Sequence, residues 1–435
     1  MKENRIKKFF SKVGKRLRSL FVAENGNDAK LVTIIKKDGT QSVLSSILCA
    51  LLGIFVGFII LLCINAEHAG EAIITILKNF LNFSSSKYRA QYLGSTILKS
   101  VPLIMCGLSV LFAYKAGLFN IGVGGQYCVG ICVSLYAALA WDLPWYACII
   151  LTMLAAGFWG AISGAFKAFF NVNEVIACIM TNWIALYLTN IILKGEMNPS
   201  TSETYPIPAK SIIPDIGLRN LFNGNKYVTI AILFTVIIAI VIQIVLSKTT
   251  FGYELKATGH NKFAAKYAGM RDKRNIILTM AISGALAGLA ASFYYLTGIE
   301  NYTISSSVPA MGFNGIAVAF LGGLNPIGVI FAGLFVEHIT LGGGYVDTNY
   351  YNPQVADLMV AVIIYLCAFV LFFKQFLKRR LAKHAEKVAL AVGKSGEKTR
   401  GTDKTTTNQS SEKKQNDEVL EKQTKGVATE EEVKD

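Results

Sequence analysis

The chain of 435 residues contains ten apolar runs, each long enough for an α-helix to cross the hydrocarbon core of a membrane. One crossing takes about 20 residues, and a single soluble core would not hide so much apolar surface. We therefore predict an all-α, polytopic membrane protein with about ten transmembrane helices. The runs lie near residues 45–64, 92–113, 118–141, 145–166, 175–193, 227–247, 275–297, 306–323, 326–342 and 355–373.

The basic residues fall in three blocks that fix the expected orientation. Of the 43 Lys and Arg residues, 11 lie in residues 1–45, 7 in residues 248–274 and 15 from residue 374 onward. Cytoplasmic segments of membrane proteins are enriched in such residues. We expect a multi-pass protein of the cell membrane with both termini in the cytoplasm. The net charge of +15 then reflects orientation and attraction to anionic membrane lipid, and no nucleic-acid partner is expected.

The charge pattern also divides the chain. Residues 1–44 form a basic cytoplasmic segment in which residues 5–21 have the spacing of an amphipathic helix on the inner leaflet, with a soluble basic tail as the alternative. Residues 45–375 form the membrane domain, and residues 376–435 have the composition of a disordered, charged cytoplasmic tail. The exterior loop 194–226 holds four of the nine prolines and is either a stiff connector or a docking surface.

Patterns for catalysis, nucleotide binding and metal binding are missing from the sequence. The Gly-Lys-Ser at 393–395 lacks the earlier glycine of a phosphate-binding loop, and no third glycine completes a dinucleotide pattern after Gly124. Four histidines are scattered, and eight cysteines lie in apolar segments without metal-ligand spacing. Glu337 beside His338 is interpreted as a satisfied polar pair in the bundle interior. We expect no enzyme activity, no metal and no cofactor on this chain.

The stretch FNIGVGGQY, residues 119–127, is poor material for a lipid-embedded helix. Broken helices expose backbone polar groups only where these line a cavity, and glycine allows close approach. We predict that the stretch lines a solute path, to which Asn120 and Gln126 offer hydrogen bonds. Alternatively, the small residues only let helices pack. The predicted path residues in this stretch are Phe119, Asn120, Gly122, Gly124, Gly125 and Gln126.

A second stretch, MGFNGIAVAFLGGLNPIG at residues 311–328, again mixes Phe-Asn-Gly with an apolar run. Two such stretches in different halves of the chain favour a path built by an internal duplication. Phe313 and Asn314 are therefore added to the predicted path.

The basic inner loop 248–274 contains a short amphipathic segment, Asn261–Tyr267, between Gly259 and Gly269. Glycine on each side is typical of a short helix that is presented to a partner. A secondary transporter can have such a loop for its own gating, so the pattern alone leaves both readings open.

Four strings together resemble the permease subunits of ABC importers of the ribose and branched-chain amino acid class, most closely the nucleoside-uptake branch. The resemblance covers about residues 45–375. The strings are GLFNIGVGGQ from residue 117, GAISGAFKAFFNVNEVIACIMTNWIA from 160, FGYELKATGHNKFAAKYAGM from 251 and GFNGIAVAFLGGLNPIGVI from 312.

The resemblance implies roles that spacing alone does not. The inner loop becomes a coupling helix that fits a groove on a separate ATPase, with Gly259, Asn261, Ala264, Ala265, Ala268 and Gly269 at the matching positions. Glu174 and Asn182 match a further family motif, and we place them on the path. The resemblance also implies an ATPase partner that holds ATP and Mg. The implied assembly includes a second permease that is a paralogue of this chain, and an extracellular substrate-binding lipoprotein.

These observations predict an ATP-driven importer subunit for a nucleoside or a related small polar solute. An ABC permease for a simple sugar such as ribose, and an ion-coupled secondary transporter, are the alternatives. The latter requires ion ligands such as carboxylates in the central path. A membrane scaffold without transport leaves the two glycine-rich stretches unexplained.

Overall fold

The structure is a computed structural model that describes residues 38–352, 354–367, 369, 372–373, 375–376 and 378–379. The predicted amphipathic helix at 5–21 and the tail from residue 380 lie outside the described residues. In the described part, the chain is almost wholly helical, with one two-stranded hairpin in the loop that follows α6. The predicted helical, polytopic fold class is confirmed. The helices are α1 Asp38–Ile64, α2 Ala69–Lys78, α3 Ser86–Lys115, α4 Val123–Leu139, α5 Trp145–Phe170, α6 Glu174–Leu193, α7 Leu218–Leu221, α8 Ala231–Lys248, α9 Thr250–His260, α10 Lys262–Tyr267, α11 Asp272–Tyr295, α12 Ala310–Leu321, α13 Pro326–Gly343 and α14 Val355–Cys367.

Seven of these helices are long and apolar enough to cross a membrane: α1, α3, α5, α6, α8, α11 and α13. The apolar helices α4 and α12 are shorter, and α14 is described over 13 residues. Together these helices match the ten predicted apolar runs, although several boundaries differ. The first and second runs begin earlier than predicted, at Asp38 and Ser86 instead of residues 45 and 92. The third span begins at Val123 instead of residue 118, and the eighth begins at Ala310 instead of residue 306.

Helices α3 and α11 form the centre of the bundle. α11 packs against α3, α4 and α5, while α12 and α13 cover the other side of α3. Small residues allow the closest crossing: a Cβ atom added at Gly160 of α5 would lie 2.3 Å from the Met280 carbonyl oxygen, and one at Gly284 would lie 2.4 Å from the Ala156 carbonyl oxygen. Such contacts are typical of helix packing in membranes, where glycine lets backbones approach.

The proline-rich loop between α6 and α8 packs on the segment that follows α11. Strands β1 Met197–Asn198 and β2 Glu203–Thr204 are antiparallel, and the Thr204 amide donates to the Tyr302 carbonyl at 2.9 Å. The Tyr302 hydroxyl donates to Asn190 Oδ1 at 2.6 Å, and burial raises the pKa of this phenol, so it remains a donor. The loop is therefore tied to the bundle at the end of α11 that lies away from α10.

Candidate functional site

The first four residues of the stretch FNIGVGGQY, 119–122, belong to the connection between α3 and α4, and its last five residues begin α4. The stretch therefore does not interrupt a helix. Asn120 is fully buried. Its Nδ2 donates to Gln126 Oε1 at 2.9 Å and to Ser283 Oγ at 2.7 Å, and its Oδ1 accepts from the Gly122 amide at 2.9 Å. In this conformation the Asn120 side chain thus forms its hydrogen bonds with protein atoms.

Neighbouring polar residues extend this set across four helices. Ser109 of α3 and Ser283 of α11 exchange hydrogen bonds, each hydroxyl donating to the other residue's carbonyl at 2.7 and 2.8 Å. Asn182 of α6 accepts from the Gly125 amide at 2.8 Å and donates to the Ile121 carbonyl at 3.1 Å. We call Ser109, Asn120, Gln126, Asn182 and Ser283 the polar clamp. It satisfies backbone groups that the α3–α4 connection leaves open.

The glycines of this stretch are packing positions. A Cβ atom at Gly125 would lie 2.6 Å from Asn182 Cα, and one at Gly124 would lie 2.7 Å from Val308 Cγ1. From the other side, a Cβ atom at Gly312 of α12 would lie 2.5 Å from the Gly124 amide nitrogen. These contacts favour the packing alternative for Gly124 and Gly125, whereas a solute contact by Asn120, Gln126 or Asn182 remains a prediction.

Four other predicted path residues are not part of the clamp. Glu174 begins α6 and forms an ion pair with Lys167 of α5, with Oε2 and Nζ 2.9 Å apart. Phe119 is half-buried in the α3–α4 connection, and Phe313 is 42% exposed on α12. Asn314, the next residue of α12, reaches a cavity that the sequence did not reveal.

This cavity has a volume of about 540 Å³ and lies between α3, α11, α12, α13 and α14. Small-molecule sites in proteins have volumes of about 300–1,000 Å³ with a few polar groups on apolar walls. Here the apolar walls include Leu103, Met311, Val336 and Val360. The polar and charged residues that line it are Lys99, Tyr294, Asn314, Glu337, Thr340 and Asp357.

Of this set, sequence reasoning found Asn314 and noticed Glu337, but it missed the rest. A usable signal was present, because charged residues inside membrane spans are costly and mark functional positions. Lys99 and Glu337 both lie inside spans. The interpretation of Glu337 and His338 as a mutual pair is wrong: the His338 ring contacts Asn79 Nδ2 at 3.2 Å and the Leu77 carbonyl at 2.9 Å.

At the opposite end of α11, the predicted short helix is present as α10. Asn261 caps it, with Oδ1 accepting from the Phe263 and Ala264 amides at 3.0 Å each. Gly269 follows it with φ at +80°, a conformation that glycine adopts without steric cost. Asn261 and Gly269 therefore define where this helix begins and ends.

The face that α10 presents is aromatic. Phe263 is 74% exposed and Tyr267 is 94% exposed, and this spacing puts them on one side of the helix. Ala264 and Ala268 are also exposed, whereas Ala265 is buried and packs inward. Sequence reasoning missed both aromatic residues, although their spacing and their place in a basic loop were visible.

Gly259, which was predicted to border the short helix, lies in the last turn of α9. A Cβ atom there would lie 2.6 Å from the Gly117 amide nitrogen and 2.6 Å from the Ala116 carbonyl carbon. The backbone of α9 thus touches the α3–α4 connection three residues before Asn120. Glu254 of α9 also accepts from Asn275 Nδ2 of α11 at 3.2 Å. The α9–α10 segment is therefore in direct contact with the α3–α4 connection and with α11.

The similarity to known proteins lies mainly in the membrane domain that these helices form. Residues 92–368 match the family model described as branched-chain amino acid transport system / permease component. The guanosine ABC transporter permease protein NupP of Bacillus subtilis is 36% identical over 282 residues, covering 64% of this chain and 81% of that protein. The nucleoside ABC transporter permease protein NupB of Lactococcus lactis is 32% identical over 372 residues, covering 82% and 99%.

A second guanosine permease of Bacillus subtilis, NupQ, is 26% identical over 288 residues, covering 63% of this chain and 89% of that protein. No solved structure matches the chain.

Proposed function

Because the chain belongs to the permease family of branched-chain amino acid transport systems, we propose that it forms the solute path of an ABC importer for a nucleoside or a related small polar solute. The similarity to permeases named for guanosine and nucleosides supports this substrate class. The structure supplies the observation that carries the proposal: a cavity of about 540 Å³ and an exposed aromatic helix lie at opposite ends of α11.

The contacts between these elements allow a movement of α10 to reach the helices around the cavity. A partner that moves α10 also moves α9, whose Gly259 touches the α3–α4 connection. Through the polar clamp, that connection is bonded to α4, α6 and α11. Rigid helices that shift together around a solute site are an established way to switch access. In this proposal, ATP-driven closure of a partner ATPase moves the helices that surround the cavity.

The proposed assembly has four kinds of subunit. Similarity to both NupP and NupQ, two permeases of one organism, supports a second permease that is a paralogue of this chain. The ATPase holds ATP and Mg, and an extracellular binding lipoprotein delivers the solute. On this chain, the ATPase contact is assigned to α10, with Phe263, Ala264, Tyr267 and Ala268 as the contacting residues.

The positive-inside rule gives the orientation. Seven basic residues in 248–274 support a cytoplasmic position for α9 and α10, and the proposal puts both termini on the same side of the cell membrane. The cavity then faces the exterior half, because its lining residues lie near the other ends of α11, α12, α13 and α14. An importer that awaits a loaded binding protein needs an opening on that side.

The test is uptake of radiolabelled guanosine by cells that express the full importer, together with recovery of the ATPase on the tagged chain. Replacing Phe263 and Tyr267 by alanine is expected to remove both, because exposed aromatic anchors contribute about 2 kcal/mol or more each at protein interfaces. Tyr205→Ala, an exposed tyrosine in the loop after α6, is the matched control and should leave recovery of the ATPase intact. Retention of the ATPase by the double variant would refute the coupling assignment.

One observation also favours testing an ion-coupled transporter. Two carboxylates, Glu337 and Asp357, line the cavity, and ion coupling requires such groups. Vesicles that hold this chain without an ATPase distinguish the two: guanosine uptake driven by an ion gradient would support coupling to ions, and uptake only with ATPase and ATP supports the importer. Competition by ribose in the same assay tests the sugar alternative.

A further inference from the structure

A groove with a volume of about 390 Å³ lies between α1, α13 and the connection from α12 to α13. Residues 46–54 of α1 form one wall, and residues 328–335 of α13 form the other. Among the described residues that line it, only Ser46 has a polar side chain. Leu51 and Phe331, one from each wall, are 59% and 68% exposed. The groove is therefore apolar and opens on the outer surface of the helix bundle.

This groove and the polar cavity lie on different faces of α13. Phe331 and Phe335 line the groove, whereas Glu337 and Thr340 line the cavity. Successive residues of an α-helix are turned by about 100°, which puts the centres of the two sets on nearly opposite sides of α13. A polar solute in the groove would lose its hydrogen bonds to water without replacement. The groove is therefore separate from the proposed solute path, and it suits an apolar occupant.

The length of the groove corresponds to one leaflet of a membrane. Residues 46–54 extend about 12 Å along α1, at 1.5 Å per residue, and they lie in the first half of the candidate span Leu44–Ile64. One leaflet contributes about 15 Å of hydrocarbon, which is half of a core of about 30 Å. Since the proposed orientation puts the N-terminus in the cytoplasm, this half of α1 lies in the cytoplasmic leaflet.

The width of the groove favours a single hydrocarbon chain over a partner helix. An α-helix with its side chains is about 10 Å across, so one turn of 5.4 Å already takes about 420 Å³. A helix could therefore insert only side chains. α1 itself packs chiefly on α14, where a Cβ atom added at Gly53 would lie 2.4 Å from Ile363 Cγ1. The space on its other side, toward α13, is thus left for a thin apolar ligand.

Basic residues lie at the cytoplasmic ends of the neighbouring elements. Lys36 and Lys37 immediately precede α1 in the sequence. Lys115 ends α3, and its neighbour Tyr114 contacts Phe320 in the last turn of α12, with ring centroids 5.2 Å apart. Basic residues next to a membrane span attract anionic lipid and strengthen binding about fivefold each, the equivalent of about 1 kcal/mol. The charge at this end of the groove therefore matches an anionic headgroup.

We propose that the groove is a lipid-binding site, which holds one acyl chain of an anionic glycerophospholipid from the cytoplasmic leaflet. The chain lies along Ala50 and Ala332, the small side chains of the two walls. Ile54 and Phe335 border the end of the groove that lies toward the bilayer centre. The headgroup lies at the basic residues. The bound lipid fills the space between α1 and α13, on the side of α13 that faces away from the cavity.

Photolabelling distinguishes this site from ordinary contact with bulk lipid. The full-length chain is placed in phosphatidylcholine vesicles that contain a small fraction of phosphatidylglycerol with a diazirine on one acyl chain. After irradiation, peptides with residues 46–54 and 328–335 should carry several-fold more label than residues 233–241 of α8, where Leu233 and Ile237 are 50% and 53% exposed. The same diazirine chain on phosphatidylcholine should label the groove at least about fivefold less. Equal labelling of the groove and α8, or by the two lipids, would overturn the proposal.

Variants of the chain test each part of the site. Ala332→Phe fills the groove and should lower the labelling of residues 46–54 to the level of α8, whereas Leu233→Phe adds the same ring to the exposed face of α8 and should not. Ala50→Leu fills the groove from the other wall and serves where Ala332→Phe does not insert. Lys36→Gln together with Lys37→Gln should reduce the preference for phosphatidylglycerol several-fold. Unchanged labelling after the groove is filled would contradict the proposal.

A photocrosslinking residue identifies the occupant in native membranes. With Leu51→p-benzoylphenylalanine in the full-length chain, irradiation should give an adduct with the mass of an anionic phospholipid. An adduct with residues 1–37, with a second copy or with another protein would assign the groove to that segment or partner and overturn the lipid site. None of these measurements uses guanosine, ATP or the ATPase, so their failure leaves the proposed function standing, and loss of uptake in α10 variants leaves the labelling result standing.

Discussion

The two ends of α11 use polar residues in opposite ways. Toward α10, the polar clamp joins α3, α4, α6 and α11, and its amide and hydroxyl groups bond to one another or to backbone atoms. At the far end, Lys99, Glu337 and Asp357 face a cavity. Polar groups that are satisfied within the protein hold helices in register, whereas groups left open are available to a ligand. Burial alone does not distinguish these uses, since Asn120 and Glu337 are both buried.

Polar residues also affect stability differently at the two ends of α11. A satisfied buried network rigidifies the structure around it. An unpaired buried charge lowers stability, and proteins retain such groups mainly at functional sites. Substitutions in the clamp should therefore affect folding first, and substitutions in the cavity should affect solute handling first.

The largest expected effect comes from Asn120→Ala. It leaves the Gly122 amide and the Gln126 side chain without their buried partner, a loss of about 2–4 kcal/mol from unsatisfied polar groups. The thermal unfolding midpoint of the purified complex should fall by several degrees, and the yield of assembled protein should fall with it.

Asn349→Ala is the matched control, because that asparagine is exposed and its loss should leave the midpoint unchanged. If Asn120→Ala unfolds at the wild-type temperature but loses uptake, the clamp is part of the solute path and the contrast between the two ends fails.

A second test concerns the contact between α9 and the α3–α4 connection. Gly259→Ala puts a methyl group 2.6 Å from the Ala116 and Gly117 backbone, so one of the segments must shift, at a cost of about 1–3 kcal/mol. We expect ATP hydrolysis by the assembled complex to continue while guanosine uptake falls, because the moving parts lose their fit. The measurement is the ratio of solute imported to ATP hydrolysed.

Gly70→Ala in α2 is the control, since nothing lies within 4 Å of an added Cβ atom there. If Gly259→Ala imports as much solute per ATP hydrolysed as the wild type, this contact is not on the route from α10 to the clamp.

Much of the architecture was predictable because membrane crossing imposes a simple rule on length and composition. The ten apolar runs, the short helix in the basic loop and the dense polar and glycine content of residues 119–127 were all visible. Asn261 and Gly269 were also visible as boundaries, since capping asparagine and positive-φ glycine act locally.

Partners distant in sequence were not predictable. The sequence shows that Asn120 is a polar residue at membrane depth, but not that Ser283, 163 residues later, accepts a hydrogen bond from its Nδ2 at 2.7 Å. The cavity joins α3 to α14, and no local pattern announces that Lys99 and Asp357 share a space. Similarly, the sequence predicts a short amphipathic helix at 261–267, but the exposure of Phe263 and Tyr267 on one side of α10 is known only from the structure.

The smallest expected effect is a difference in stability between the loss of an ion pair at one end of the bundle and the loss of an ion pair at the other end. Lys167 and Glu174 pair at the α5–α6 connection with side chains 27% and 16% exposed, whereas Lys210 and Asp142 pair beyond α4 with side chains 51% and 58% exposed. Solvent screens the second pair more, so Glu174→Gln should cost about 1 kcal/mol and Asp142→Asn about 0–0.5 kcal/mol. Thermal unfolding of the purified complex at low and high salt measures both, and salt should reduce the difference. Equal shifts would mean that ion pairing does not distinguish the two ends, and that the contrast rests on the clamp and the cavity alone.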